Sequence, residues 1–398
     1  RMRIGFLFNH DQIHQVAHSL PIALALAERQ FAGEIVVATT TPRLAAEVER
    51  LGGSLIGTRI RHVRLSLKPF SRALARALGG VVPAAKILVY RDNLDFFRSL
   101  DVLVVAEKTS LLLKTRYGLK DLKIVHTRHG AGDRAIGFDK ASAGFDLVLC
   151  SGPKIKERLV AATGLAPDAV RIVGYPKFDL LRPPTKIFPG EDSRPVVLYN
   201  PHPSPHLSSW YRDGRDILDF FLGNKDYRLI FAPHVMLFER KFVVSIDRLR
   251  ILRPGRLADR YWQSPDIHID LGSRASTDMT YTQAADIYLG DASSQVYEFL
   301  IRPRPCLFVN SHGCAWKGNP DFAHWRAGPV IGHASELADG LKRARESHAA
   351  VYRPIQERMF AETFDLDEKP SSQRAAEAIE SFVDRSRSPF LHGEKRTA

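Results

Sequence analysis

Ala284-Asp-Ile-Tyr-Leu-Gly-Asp-Ala-Ser-Ser-Gln-Val-Tyr-Glu-Phe299 changes its periodicity halfway along. Residues 287–289 are an apolar run of strand length, stopped by Gly290-Asp291, and from residue 295 to 300 the apolar positions fall at helical spacing. A strand that passes through a short turn into a helix is the repeating unit of a parallel sheet covered by helices. A helix starting there aims its unpaired N–H groups and positive dipole end at whatever lies above the sheet. Ser293 and Ser294 add two hydroxyls, so the turn is suited to a phosphate. The plainer reading is that Asp291 or Ser293 only caps the helix.

Working outward, apolar runs of the same kind recur at 196–199, 229–232, 267–269, 307–309 and 330–331. An earlier series lies at 4–8, 35–38, 102–106, 124–127, 147–150 and 172–174, with helical patterns at 17–29, 43–51 and 153–163. This alternation predicts an α/β protein of two Rossmann-like domains. The expected boundaries are 1–178 for the first domain, a Pro- and charge-rich linker at 179–194, and 195–371 for the second. A helix at 372–386 is expected to pack back, with a loose polar tail at 387–398. The two halves are expected to face a cleft, with ligands outside the carboxyl ends of the strands. Neither half carries Gly-x-Gly-x-x-Gly at its first strand and no Walker A loop occurs, which argues against a dehydrogenase or a P-loop kinase.

The chain has 398 residues, 44% of them hydrophobic, and no run of eighteen apolar residues that would span a bilayer. Met2 to Phe8 meets polar His10-Asp11 at once and reads as a first strand, not a secretory signal. Cys150, Cys306 and Cys314 are odd in number without a Cys-x-x-Cys pair, as expected of reduced thiols in a cytoplasmic protein. The net charge is +13, and no Asp or Glu occurs between Arg50 and Arg91. Arg59, Arg61, Arg64, Lys68, Arg72 and Arg76 alternate there with Leu65, Leu67, Phe70, Leu74 and Leu78. Such a segment suits an anionic membrane surface or a polyanionic acceptor, the plain alternative being a solvated cationic face. No nucleic-acid-binding motif accompanies the charge.

Two histidines stand just past predicted strands. His129, in Arg128-His-Gly-Ala-Gly-Asp-Arg134, sits among small residues that admit a ligand close to the backbone. Asp133 is near enough in sequence to orient an imidazole, and Arg128 and Arg134 suit an anionic substrate. His129 therefore reads as a catalytic base or an acceptor-binding group, or else as a structural hydrogen-bonder. His234 follows the run at 229–232 and reads either as a group that binds a diphosphate, offsetting leaving-group charge as a cation, or as a satisfied loop histidine. Gly290 and Asp291 join Ser293 and Ser294 as expected donor-binding residues. Glu298, one turn after Ser294, is in reach of a ribose hydroxyl or else is an exposed helix residue, and His202, in a Pro-rich loop after the first strand of the second half, is assigned to the nucleotide. His10, His14 and His18 fall four apart, but helical spacing alone is poor ground for a metal site and none is expected. His14 and His18 are instead assigned to the acceptor side.

Taken in order, His129-Gly130, Phe145-Asp-Leu-Val-Leu-Cys-Ser-Gly152, Gly174-Tyr-Pro-Lys-Phe-Asp179, Pro233-His234 and Gly290-Asp-Ala-Ser-Ser-Gln-Val-Tyr-Glu-Phe299 resemble the CDP-glycerol glycerophosphotransferase family, GT-B enzymes of teichoic-acid and capsule synthesis. The resemblance covers roughly residues 124 to 310. It implies that His129 is the base, that His234 lies near the donor phosphates, and that Ser293 and Ser294 hold the diphosphate of a CDP-linked donor. The expected reaction is metal- and cofactor-independent transfer to a lipid-linked or polymeric envelope acceptor, on the inner face of the cytoplasmic membrane. Where the family often has His-Gly-Thr-Pro this chain has His129-Gly-Ala-Gly132, and where it often has Tyr before the serine pair this chain has Ala292. The chief rival is a GT-B glycosyltransferase using a UDP- or CMP-sugar. A nucleotide-sugar 2-epimerase would need carboxylate bases at the cleft, and a non-catalytic glycan- or lipid-binding module would turn over no donor.

Overall fold

The computed structural model describes residues 1–79, 84–128, 130, 138–239, 243–245, 250–252 and 255–387. The chain falls into two compact units. Arg1–Gly130, Phe138–Leu180 and the chain from Thr363 onward make one, and Leu181–Glu362 belongs to the other.

The first unit holds β1 (Arg3–Phe8), β2 (Glu34–Thr39), β3 (Ile60–Arg64), β4 (Val102–Val105), β5 (Lys123–Thr127), β6 (Leu147–Cys150) and β7 (Val170–Ile172). They form one parallel sheet in the order β3-β2-β1-β4-β5-β6-β7. All four residues of β4 and of β6 are buried, as strands covered on both faces require. Successive side chains serve opposite cores: Phe6 and Phe8 join Leu26, Val37 and Ile379, while Leu7 joins Phe97, Leu103 and Val148.

The chain returns to this unit at Thr363, ahead of the predicted helix. Ser151 Oγ donates to the Thr363 carbonyl at 2.7 Å and Asp365 N to the Ser151 carbonyl at 2.8 Å. The Phe364 ring lies 4.9 Å from those of Tyr175 and Phe178. Gly174, at φ +83°, is required here, because a Cβ would meet the Asp365 carbonyl and the Ser371 hydroxyl. Helix Ser371–Arg387 then packs on helix Leu20–Glu28, and Arg29 reaches Glu377 and Glu380 at 3.1 and 3.0 Å.

The second unit contains β8 (Val196–Asn200), β9 (Arg228–Phe231), the antiparallel pair β10 (Val243–Ser245) and β11 (Arg250–Leu252), and then β12 (Ile267–Ile269), β13 (Ile287–Gly290), β14 (Cys306–Val309) and β15 (Val330–Ile331). Its six-stranded parallel sheet has the order β12-β9-β8-β13-β14-β15. Both sheets thus run outward from a central strand, first one way and then the other. The reversal leaves a gap above the carboxyl ends of β1 and β4 in one unit and of β8 and β13 in the other. Of the stretch expected to be a linker, Asp179 and Leu180 end a 3₁₀ turn of the first unit (Pro176–Leu180), and residues 181–194 have no regular structure yet are fastened to the second unit. Arg194 pairs with Asp192 and Asp266 at 2.7 Å, and buried Phe188 lies under the Arg228 guanidinium. Among the described residues no helix is long and apolar enough to cross a membrane.

Candidate functional site

At the reversal point of the second sheet, β13 ends on Gly290, where a Cβ would lie 2.5 Å from the folded-back Tyr288 ring. Asp291 follows and is 1% exposed. Its Oδ1 accepts from His202 N at 2.9 Å and Ala292 N at 2.7 Å, and its Oδ2 from Ser209 N at 2.7 Å and Ser209 Oγ at 2.8 Å. Its carbonyl accepts from His324 Nε2 and Trp325 Nε1, both at 2.8 Å. Burial pushes the carboxyl pKa upward and these donors oppose the shift. Asp291 was expected to touch the donor. Its oxygens are instead taken up in tying together the loops after β8, β13 and β14.

That knot positions two imidazoles. His202 Nδ1 accepts from Ser204 N at 3.0 Å, and His234 Nδ1 accepts from Met236 N at 3.2 Å. A ring nitrogen that accepts a backbone N–H carries no hydrogen, so in the neutral tautomer each ring bears its proton on Nε2. The two rings lie 6.2 Å apart, and His234 N donates to the Pro201 carbonyl at 3.1 Å, coupling the loops that carry them. Burial lowers the His234 pKa to about 4. The cation expected from the sequence is therefore corrected to a neutral N–H donor in the ligand-free protein, because nothing offsets the cost of desolvating a charge.

A pH dependence follows. The unfolded histidine titrates near pH 6.5, about the ordinary value. Between there and the folded value near 4, the unfolded chain binds the extra proton. His234 therefore withdraws stability progressively as pH falls through that window and has no such effect above it. Urea midpoints at pH 7 and pH 5 should draw closer together in His234→Gln than in the parent chain. An unchanged difference would contradict the buried neutral ring.

The serine turn differs from its prediction. Helix Gln295–Phe299 is five residues long, barely more than one turn, so its dipole contributes little. Ser293 is buried, with its hydroxyl 3.4 Å from Gln295 N. Ser294 is exposed and makes no cap bond, whereas Glu298, expected on the same face, is buried. The groups available to a phosphate at this turn are thus Ser294 and nearby backbone N–H groups.

In the first unit, His18 and Arg128 line one narrow recess with Cys150, Ser151, Gly174 and Tyr175. The His18 ring lies 5.4 Å from that of Tyr175. The Arg128 guanidinium stacks on Phe138 at 4.3 Å, and burial lowers its pKa to about 10, still fully cationic near neutrality. Burial also pushes the Cys150 thiol up to about 11, leaving it an inert lining group. His14 does not line this recess. It stands on the 3₁₀ helix Ile13–His18, where residues four apart do not share a face, so its spacing to His18 is no longer informative. His129, Asp133 and Arg134 lie outside the described residues.

Sequence reasoning missed a cluster at the first reversal point. His10 Nδ1 lies 3.1 Å from Glu107 Oε1, and Lys86 Nζ bridges Glu107 Oε2 at 3.3 Å and Asp11 Oδ2 at 3.4 Å. The available signal was positional: His10 follows β1 and Glu107 follows β4, the two strands that flank the reversal. Among the described residues, no three His, Cys, Asp or Glu side chains are grouped to hold a metal ion. The six basic residues first assigned to a membrane surface divide in two. Arg59 donates to the Ala27 carbonyl, while Arg61 and Arg64 on β3 pair with Glu34 and Glu49 at 3.6 and 3.1 Å. Lys68, Arg72 and Arg76 belong to the following helix and its first flank.

No protein-family model matches the chain, and no curated protein matches it in sequence. Solved structures do match its fold. The wall teichoic acid polymerase TagF, soaked with CDPG, aligns at a TM-score of 0.57 and 15% identity, covering 97% of this chain and 90% of that one. A putative UDP-N-acetylglucosamine 2-epimerase from Listeria monocytogenes aligns at 0.59 and 12% identity over 98% of both chains. The UDP-GlcNAc 2-epimerase from Neisseria meningitidis, bound to UDP-GlcNAc, aligns at 0.56 and 12% identity over 97% of this chain and all of that one. At these identities the likeness is one of fold, two Rossmann-like α/β domains of the GT-B class.

Proposed function

We propose that the chain is a transferase that moves a glycerophosphate or similar group from a CDP-linked donor to a hydroxyl of an envelope acceptor. The observation that carries this reading is the pair of Nε2–H groups of His202 and His234 at the reversal point of the second sheet, held by the Asp291 knot. Two ring donors with ring centres 6.2 Å apart, and the Ser294 hydroxyl nearby in sequence, suit a leaving phosphate. The motif order from His129 to Phe299 supports the choice of donor, as does a fold shared with a polymerase soaked with CDPG.

In this scheme His129 removes the proton of the acceptor hydroxyl, with Asp133 orienting the ring. The acceptor oxygen attacks the glycerol-bearing phosphorus, the bond from that phosphorus to the CMP oxygen breaks, and CMP leaves with its charge met by His202 and His234. Protons already in place toward the developing charge need no rearrangement during the reaction, which is the source of their catalytic value. His18 and Arg128 in the recess, with His14 and Arg134, are assigned to an anionic acceptor. No cofactor or metal takes part in the scheme. We place the chain on the cytoplasmic side, peripheral to a membrane that carries the acceptor.

A second reading has one specific observation in its favour. Glu107, at the first reversal point, supplies a carboxylate of the kind a nucleotide-sugar 2-epimerase requires, and two of the matching folds belong to such enzymes. Its contacts with Lys86 and His10 favour an ion-paired brace over a base. Incubation in D₂O separates the readings. Acceptor-dependent CMP release from CDP-glycerol supports transfer. Deuterium incorporated at C2 of UDP-GlcNAc, without CMP release from CDP-glycerol, overturns it.

A further inference from the structure

We propose that helix Pro69–Leu78 docks the chain on an anionic phospholipid bilayer, with Phe70, Leu74 and Leu78 entering between the lipids. The helix is inverted in polarity. Phe70, Leu74 and Leu78 are 73%, 37% and 41% exposed, and they make up half of the exposed large hydrophobic residues described in the chain. Its one buried residue is Ser71. Polar contacts hold it to the body: Arg91 NH2 donates to Ser71 Oγ at 2.9 Å, Lys68 N to Asp92 Oδ2 at 2.9 Å, and Asn93 Nδ2 to the Ser66 carbonyl at 3.0 Å. A surface helix ordinarily turns its apolar stripe inward. This one sets Ser71 and half-buried Ala75 against the protein and leaves its large apolar residues exposed.

The stripe is continuous because the three residues are four apart, covering an arc of about 80°. The next rows around the helix are Ala73 with Ala77, also exposed, and then Arg72 with Arg76. At 100° per residue the guanidinium row lies about 180° around the helix from the large apolar row, with the two alanines between them on the exposed side. An apolar face opposite a cationic one is the pattern of a helix lying in a membrane interface, where the apolar row sinks in and the long arginine side chains reach back toward the lipid phosphates. Among the described residues Lys68 Nζ, Arg72 and Arg76 have no carboxylate partner, and the 40 residues between Arg50 and Arg91 contain no acid to compete with an anionic surface. The basic residues of β3 are spent on Glu34 and Glu49, so the lipid-facing charge is narrower than the six residues first read. Charge complementarity favours an anionic bilayer over a second copy of this acid-free segment, which would bring two sets of cations together with no carboxylate between them.

Co-sedimentation of the full chain with vesicles tests this. Vesicles of phosphatidylcholine with a third phosphatidylglycerol should retain the protein, and vesicles of phosphatidylcholine alone should not. The double variant Phe70→Ser/Leu74→Ser should partition at least tenfold less, and Arg72→Glu/Arg76→Glu should lose the preference for anionic lipid. All these positions are exposed, so the unfolding midpoint should stay put in each variant. Binding by the serine variant equal to the parent's would overturn insertion and leave a solvated cationic face. Parent chain that ignores vesicles, or that dimerises through this face and becomes monomeric in the serine variant without vesicle binding, would overturn the lipid assignment.

Discussion

Asp291→Ala should destabilise the second unit by about 3–5 kcal/mol, the scale for breaking a buried charged network from one side. The substitution strips acceptors from His202 N, Ser209 N and Ala292 N together, and from the Ser209 hydroxyl. Each buried donor left without a partner costs about 1–3 kcal/mol, less where water enters the space. Asp291→Asn keeps the shape but turns an amide N–H₂ toward one of these donor sets, so it should recover only part of the loss. All four tryptophans, Trp210, Trp262, Trp316 and Trp325, lie in the second unit, so their fluorescence follows its unfolding in urea separately from the first. An alanine variant that unfolds at the parent midpoint but no longer binds nucleotide would return Asp291 to the ligand-contacting role first expected of it.

His129→Ala should reduce acceptor-dependent nucleotide release by about 10²–10⁴-fold, the usual yield of a positioned general base. Donor affinity should change less than about twofold, because the base acts on the acceptor and the proposed donor contacts belong to the second unit. β5 ends at Thr127, two residues earlier in the sequence. Turnover kept in His129→Ala and lost in His10→Ala would move the base to the His10–Glu107 pair.

Much of the fold was legible because a parallel strand buried on both faces is nearly uniform in hydrophobicity, as Val102-Leu-Val-Val105 and Leu147-Val-Leu-Cys150 are. β3 was missed for the converse reason. It is the edge strand, and Arg61, His62 and Arg64 make it read as charged surface although Ile60 is buried. The helix expected at 17–29 is a 3₁₀ segment followed by a helix with Pro21 in its first turn. The site was legible in part. His202 and His234 stood out beside strand ends, but their tautomers depend on the N–H groups of Ser204 and Met236, which spacing cannot reveal. Asp291 looked like a ligand because four of its five partner residues, His202, Ser209, His324 and Trp325, come from loops 33 or more residues away. His10 and Glu107 are 97 residues apart and meet only because the strand order sets β1 beside β4.

Calorimetric titration of the full chain with CDP-glycerol and with UDP-GlcNAc addresses the donor site most directly. Expected is saturable binding of CDP-glycerol, weaker or absent binding of UDP-GlcNAc, and at least a tenfold loss of CDP-glycerol affinity in His234→Ala, partly restored in His234→Gln, whose amide can donate from near the Nε2 position. Tight binding of UDP-GlcNAc with none of CDP-glycerol, or CDP-glycerol affinity untouched by His234→Ala, would contradict a CDP-linked donor held at the reversal point of the second sheet.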